Sequence, residues 1–234
     1  MVNDKMKIIL ASNSPRRREL LSGLGLEFEV HTLKGLDESY PEGLSMEEIP
    51  LYISRKKAEA YAIGPDELLI TADTIVYLDG EVLGKPADEA EARAMLRKLS
   101  GRTHQVVTGV TLKASPKFSP KGRESLSPTL SKGEGERLQQ FTPPLDGTGE
   151  ADGGVYSFSS VSQVTFAQLS EEEIDYYVAH FRPLDKAGAY GIQEWIGYIG
   201  VTRIEGSYFN VMGLPVQRLY SEMKKLGLIH NPNP

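Results

Sequence analysis

Apolar side chains recur along this chain in two rhythms. Short continuous runs at 7–11, 68–77 and 105–112 read as buried strands, and 28–32 alternates as a half-buried strand does. Helical spacing fills the stretches between them. Ser14 is placed to cap a helix opening on Pro15, Leu20, Leu21 and Leu24 supply its apolar stripe, and Gly23 and Gly25 end it. A second helix spans 45–63, with Ile49, Tyr52, Ile53, Ala60 and Ile63 at apolar positions and Pro50 confined to its first turn. Asp79-Gly80 predicts a tight hairpin turn into a short strand at 81–83. Residues 88–99 are amphipathic, with Ala92, Met95, Leu96 and Leu99 on one face. Further on, 155–168 alternates again and is expected to pair antiparallel with 105–112. Ser170 and Glu173 form a capping box ahead of a helix over 174–181. Residues 185–193 make a glycine-containing loop, 198–204 a strand, and Leu214-Pro215 opens a last helix through 226, followed by a fraying tail at 231–234. Strands that alternate with helices indicate an α/β fold.

The rhythm breaks once. Residues 115–154 hold five of the 14 prolines and seven of the 23 glycines with few apolar positions. A structureless loop of about forty residues is uncommon inside a compact domain. It reads as a disordered excursion at the tip of the hairpin, because nothing in it offsets the entropy of ordering. The expectation is therefore one domain over 1–234 carrying an insert at 115–154. Whole-chain composition, 234 residues with 40% hydrophobic and 25% charged, suits a globular core.

Charge and cysteine remove several function classes. With 26 basic and 32 acidic residues the formal charge is −6, so a protein that coats nucleic acid is disfavoured. Cysteine is absent, which excludes disulfides, thiolate metal sites and cysteine nucleophiles together. No apolar run approaches the ~20 residues of a membrane helix. The charged start, Met1 to Lys7, leads into only Ile8-Ile9-Leu10-Ala11, too short for a signal-peptide core. A soluble cytoplasmic protein with no membrane partner is expected.

Chemistry concentrates at a few points. In Ser12-Asn13-Ser14-Pro15-Arg16-Arg17-Arg18, three arginines crowd a helix start, where each exposed cation is unfavourable by roughly 0.3–1 kcal/mol. An anion bound there by N–H groups, Ser12 and arginine forks reverses the sign of that effect; a solvated basic turn is the plain alternative. Asp73 in Thr71-Ala72-Asp73-Thr74 leaves an apolar strand and offers a hard oxygen for Mg²⁺ or for activating water, or else simply caps a turn. Lys85, held between Gly84 and Pro86, and Lys57, within a helix, are cations that are more commonly just solvated. Asp37 and Glu38 occupy a polar loop, where the same holds for carboxylates. Gln193 closes the 185–193 loop with an amide able to make two directional bonds to a base edge, and Asp185-Lys186 reads as a structural ion pair. No P-loop signature occurs, the four histidines lack metal-ligand spacing, and no nucleophile elbow is present.

Together these segments resemble the Maf family of nucleoside triphosphate pyrophosphatases. The matching stretches are Ile9-Leu10-Ala11-Ser12-Asn13-Ser14-Pro15-Arg16-Arg17, Arg55-Lys56-Lys57-Ala58, Ala72-Asp73-Thr74-Ile75-Val76, Gly84-Lys85-Pro86, Leu99-Ser100-Gly101, Asp185-Lys186-Ala187-Gly188-Ala189-Tyr190-Gly191-Ile192-Gln193 and Gly206-Ser207-Tyr208-Phe209-Asn210-Val211-Met212-Gly213-Leu214-Pro215. They run in family order outside the insert. The resemblance implies an α/β fold whose mixed, twisted central sheet is flanked by helices, as in the Maf and ITPase-like proteins, with a cleft between two lobes. It implies hydrolysis of dTTP and UTP, and of modified pyrimidine nucleotides, to the monophosphate and pyrophosphate. Asp73 would be the catalytic proton acceptor, and Arg16, Thr74 and Gln193 would set specificity. Ser12, Arg17, Lys57 and Lys85 would hold phosphates. Asp73 and Glu38 would hold a divalent metal, Mg²⁺ with Mn²⁺ or Co²⁺ as alternatives. A homodimer, a small nucleotide as partner and no nucleic-acid polymer complete the expectation. The rival readings are a 7-methyl-GTP-preferring or purine-directed enzyme and a nucleotide-binding regulator of cell division without turnover. Glu194-Trp195 and the 115–154 insert depart from the family pattern. A Trp beside Gln193 would line the base pocket or pack beneath it.

Overall fold

Eight strands share one sheet in the computed structural model, which describes residues 6–115, 151–152 and 154–229. In chain order, β1 (Lys7–Leu10), α1 (Pro15–Ser22), β2 (Phe28–Val30), α2 (Glu48–Glu59), β3 (Glu67–Leu78), β4 (Glu81–Leu83), α3 (Glu89–Leu99) and β5 (Thr103–Ala114) make up the first half. The second half comprises β6 (Ala151–Asp152), β7 (Val155–Phe166), α4 (Glu171–Phe181), α5 (Trp195–Gly200), β8 (Val201–Glu205), α6 (Tyr208–Met212) and α7 (Val216–Lys225). The sheet runs β2-β1-β3-β5-β7-β6, with β4 beside β3 and β8 beside β7. β1 lies parallel to β2 and β3; every other pairing is antiparallel, so the sheet is mixed.

Local rules account for most of these elements. Ser14 caps α1 by accepting the Arg17 N–H, and Pro15 opens the helix. Such a cap contributes about 1 kcal/mol. Asp88 caps α3, and Ser170 with Glu173 forms the capping box of α4. Asp79 and Gly80 both take positive φ (48° and 88°), the backbone of a type I′ hairpin turn. Pro50 sits in the first turn of α2, where it interrupts no helical hydrogen bond.

The two-residue period of β3 divides the molecule. Leu68, Ile70, Ala72, Val76 and Leu78 face a large core shared with α1, α3, α4 and α7. Leu69 and Ile75 face the other side, against Ala58 and against Ile49 and Ile53 of α2. Helices therefore cover both faces. α2 lies directly on β5: a Cβ at Gly109 would fall 2.3 Å from the Pro50 backbone carbon.

Two expectations are corrected, and one element went unpredicted. Residues 198–200 belong to α5, not to a strand, and β8 begins only at Val201. The Tyr198-Ile199-Gly200 stretch has strand-like composition, yet α5 packs so tightly on the loop before it that a Cβ at Gly197 would fall 1.8 Å from the Ile192 carbonyl oxygen; tertiary packing overrides β-propensity. α6, capped by Ser207, went unpredicted because five residues are too few to show a helical period. Asp73 lies within β3 rather than at its end, since β5 continues to pair along it. The expected insert at 115–154 falls almost wholly outside the described residues, although Ala151–Asp152 pairs with β7. The 231–234 tail lies outside them too. Among the described residues no helix is long and apolar enough to cross a membrane.

Candidate active site

β1 stops at Leu10, opposite Ile70, and β4 joins β3 only at Val76. Between these points one edge of β3 is open, and it holds Ala72, Asp73 and Thr74. A cleft of about 880 Å³ surrounds that edge, and Ser12, Arg16, Arg17, Glu38, Lys57, Asp73, Thr74, Lys85 and Gln193 all line it. Residues up to 181 positions apart in sequence are thus brought to one place.

Asp73 and Thr74 are consecutive in a strand, so they address opposite faces of the sheet. Asp73 shares its face with α2. There the Lys57 ammonium donates to Asp73 Oδ1 at 2.7 Å and pairs with Glu38 Oε1 at 2.8 Å. The Lys57 and Asp73 side chains are only 12% and 14% exposed, which strengthens the attraction by excluding water. Glu38 is also approached by Lys85, 3.7 Å away on the turn after β4. Burial by itself would raise the Glu38 pKa, but the hydrogen bond from Lys57 and the charges of Lys57 and Lys85 prevail and hold it below the usual value. The neighbouring Asp37 is stapled to α2 by Lys56 at 2.7 Å. That hydrogen bond, with those from Ser39, holds the Asp37 carboxyl well below the carboxylate range. Adjacent lysines of one helix thereby anchor adjacent carboxylates of one loop.

Thr74 faces α1 and α6. Its hydroxyl accepts from Arg17 Nη2 at 3.0 Å and lies 3.0 Å from Thr108 Oγ1. Arg17 also donates to the carbonyl oxygens of Ala72 and Gly213, each at 2.8 Å. Three of its five donors are therefore committed within the protein. Burial lowers the Arg17 pKa, and the nearby Asp73 charge works in the opposite direction. Thr108 and Asn210, which sequence reasoning passed over, complete this bracket. Thr108 donates to the Asn210 carbonyl at 3.1 Å, and the buried Asn210 amide donates to Val106 O at 3.1 Å and Ser162 Oγ at 3.0 Å. Ser12, buried beneath the α1 terminus, accepts the Ser14 N–H at 3.2 Å.

The 185–193 loop closes the cleft opposite α1. Arg16 Nη1 reaches Asp185 Oδ2 at 3.3 Å, and Asp185 Oδ1 accepts from Lys186 at 2.7 Å. Burial disfavours the Asp185 carboxylate, but the Lys186 and Arg16 contacts outweigh it and lower its pKa. Gln193 Oε1 is buried and has no hydrogen-bond partner among the described residues. An unpaired buried carbonyl costs roughly 1–3 kcal/mol, a cost relieved if the amide turns its oxygen into the cleft to meet a ligand donor. Trp195 is not among the lining residues; it packs edge-on against Tyr176, 4.9 Å between ring centres.

The arrangement combines a carboxylate pair, several cations and an amide without a hydrogen bond of its own, which suits a polyanionic ligand. A family model described as "Maf-like protein" matches residues 7–226. A dTTP/UTP pyrophosphatase of Phocaeicola vulgatus is 56% identical over 225 residues, covering 95% of this chain and 97% of that protein. One from Bacteroides fragilis is 50% identical over the same length, with the same shares. Among solved structures, the Staphylococcus aureus Ham1 protein aligns over 92% of this chain and 99% of its own at 19% identity, with a TM-score of 0.43. By the length of the family match and the identity to these relatives, the chain belongs to the Maf-like protein family.

Proposed function

We propose that this chain is a nucleoside triphosphate pyrophosphatase that hydrolyses dTTP and UTP to the nucleoside monophosphate and pyrophosphate. One observation carries the reading. The Asp73–Lys57–Glu38 cluster shares a single cleft with Arg16, Lys85 and the unpaired Gln193 Oε1. The names of the relatives at 50–56% identity support the choice of pyrimidine.

Thymine and uracil present an N–H at the ring position where cytosine presents an acceptor. A Gln193 amide turned to present its oxygen to the cleft would satisfy the former and repel the latter. Arg16, Lys57 and Lys85 balance the triphosphate charge, and Ser12 with the α1 N-terminus offers neutral donors. Lys57 occupies one oxygen of Asp73, leaving Oδ2 without a partner among the described residues to take a proton from water. The water oxygen bonds to phosphorus as the phosphoanhydride P–O bond breaks, and pyrophosphate departs. Asp73 and Glu38 would also hold a divalent cation. Two hard oxygens, to be completed by phosphate and water, fit Mg²⁺, and the lysine ammonium already seated between them marks a place that favours positive charge. When bound, that ion neutralises phosphate charge in the transition state.

The test incubates purified protein and Mg²⁺ with dTTP, UTP, CTP, GTP and ATP, measuring pyrophosphate against orthophosphate. Pyrophosphate from dTTP and UTP is expected. Asp73→Asn should lower kcat by about 10²–10⁴. Orthophosphate as product, or turnover undiminished in Asp73→Asn, would overturn the assignment.

A further inference from the structure

Gln193 and Glu194 are adjacent, and the proposed reaction uses only the first. Glu194 lies in a polar network behind the cleft wall. Its Oε1 pairs with Lys186 Nζ at 3.1 Å, and its Oε2 accepts the hydroxyl of Tyr177, a fully buried residue of α4. The same hydroxyl accepts the Gly191 N–H at 3.0 Å, and the Glu194 N–H donates to the Gly191 carbonyl at 2.9 Å. The four-residue turn that carries Gln193 is therefore tied at both ends to one tyrosine. Lys186 is only 8% exposed and holds Asp185 as well, and Asp185 holds Arg16. A continuous path, Arg16–Asp185–Lys186–Glu194–Tyr177, thus joins the α1 terminus to the residue beside Gln193.

Stability alone is a poor explanation for such a path. A buried ion pair loses solvation and often stabilises no better than apolar side chains of the same volume. What it does provide is a single arrangement, because each group satisfies a directional partner. Gln193 makes no side-chain hydrogen bond of its own among the described residues, so its place in the cleft depends on the turn that carries it. An amide displaced together with its turn no longer meets the base edge, and selectivity disappears.

We infer that Glu194 and Lys186 are positioning residues for base selection. They hold the Gln193 turn and Arg16 in one arrangement, so that the cleft prefers a pyrimidine with a ring N–H donor over one with an acceptor. The inference rests on the pyrimidine triphosphate reading above.

The experiment measures kcat and KM for UTP and CTP, with Mg²⁺, in wild type, Glu194→Gln, Lys186→Met, the double variant and Tyr177→Phe. Thermal unfolding of each variant confirms folding. Wild type should favour UTP. Glu194→Gln should lower the UTP:CTP ratio of kcat/KM about tenfold, mainly through KM for UTP, with kcat within about twofold. Lys186→Met should act similarly, and the double variant should be little worse than the weaker single, as for residues of one network. Tyr177→Phe keeps the Lys186–Glu194 pair and should narrow the ratio less. Should Glu194→Gln not fold, the Tyr177→Phe ratio decides. Variants that lose kcat/KM equally for both nucleotides, or keep the wild-type ratio, would reduce the network to a structural pin and overturn the inference. A wild type that does not distinguish UTP from CTP would overturn the pyrimidine reading and the inference with it. That failure shows in the wild type and not in the variants.

Discussion

His104 shows how one side chain links burial to pH. It is fully buried, its Nε2 lies 2.7 Å from the Tyr190 hydroxyl, and its Nδ1 has no partner among the described residues. Burial lowers its pKa from 6.5 to about 4. The unfolded chain therefore binds a proton between pH 6.5 and 4 that the folded chain does not. The contribution is complete above pH 6.5 and is lost as the pH falls toward 4. Between pH 7.5 and pH 5 wild type should lose about 2 kcal/mol from this group. Urea unfolding at the two pH values checks it, with His104→Gln expected to lack most of the difference. The depressed carboxyl pKa values of Glu38 and Asp185 act lower, since their stabilisation is present above about pH 4.5 and is lost below it. Some residues of the proposed site stood out in the sequence because their types suit poorly the places they occupy. Arginines at a helix N-terminus and an aspartate in a strand are examples, whereas Lys57, Lys85 and Glu38 looked ordinarily solvated and were singled out only by the family resemblance. Glu194 and Asn210 gave no such sign, because a polar residue in a loop looks ordinary until its burial is known.

Elements bring these residues together through close approach. Lys57 meets Asp73 because α2 crosses β5 at Gly109, the residue registered opposite Asp73. A methyl group at position 109 would collide with the Pro50 and Leu51 backbone, which cannot swing aside as a side chain could. Gly109→Ala should therefore lift α2, cost about 1–3 kcal/mol of stability and lower kcat by separating Lys57 from Asp73. A chemical melt and steady-state kinetics check it; a variant with wild-type values would show that α2 is free to shift. β1 to β5, β7, α1 to α4, α7 and the turn at Asp79-Gly80 were legible because caps, turn residues and periodicity act within a few residues. α5 and α6 were not, because contacts with distant segments stabilise such short helices.

Across the whole molecule, charge is unevenly placed. The chain carries a formal charge of −6, yet its cleft gathers Arg16, Lys57 and Lys85. Local positive potential attracts a polyanion despite the net sign, and salt screens it with a Debye length of about 10 Å at 0.1 M and 3 Å at 1 M. KM for UTP should rise several-fold between 0.05 and 0.5 M NaCl at fixed Mg²⁺, while kcat changes little. A flat KM would mean that short-range contacts alone bind the substrate.

The linear chain sufficed for the α/β class, the type and rough place of the larger elements, the family resemblance and the cations of the proposed site. All of these depend on residue type and near-neighbour spacing. Period two even places Asp73 and Thr74 on opposite faces. Folding was needed to show what each face meets: Lys57 bridging Asp73 and Glu38, Arg17 spent on two carbonyls and a hydroxyl, and Glu194 tied through Lys186 to Arg16. Such contacts join residues far apart in sequence. Their geometry follows from how helices and loops pack on the sheet, which no local pattern encodes.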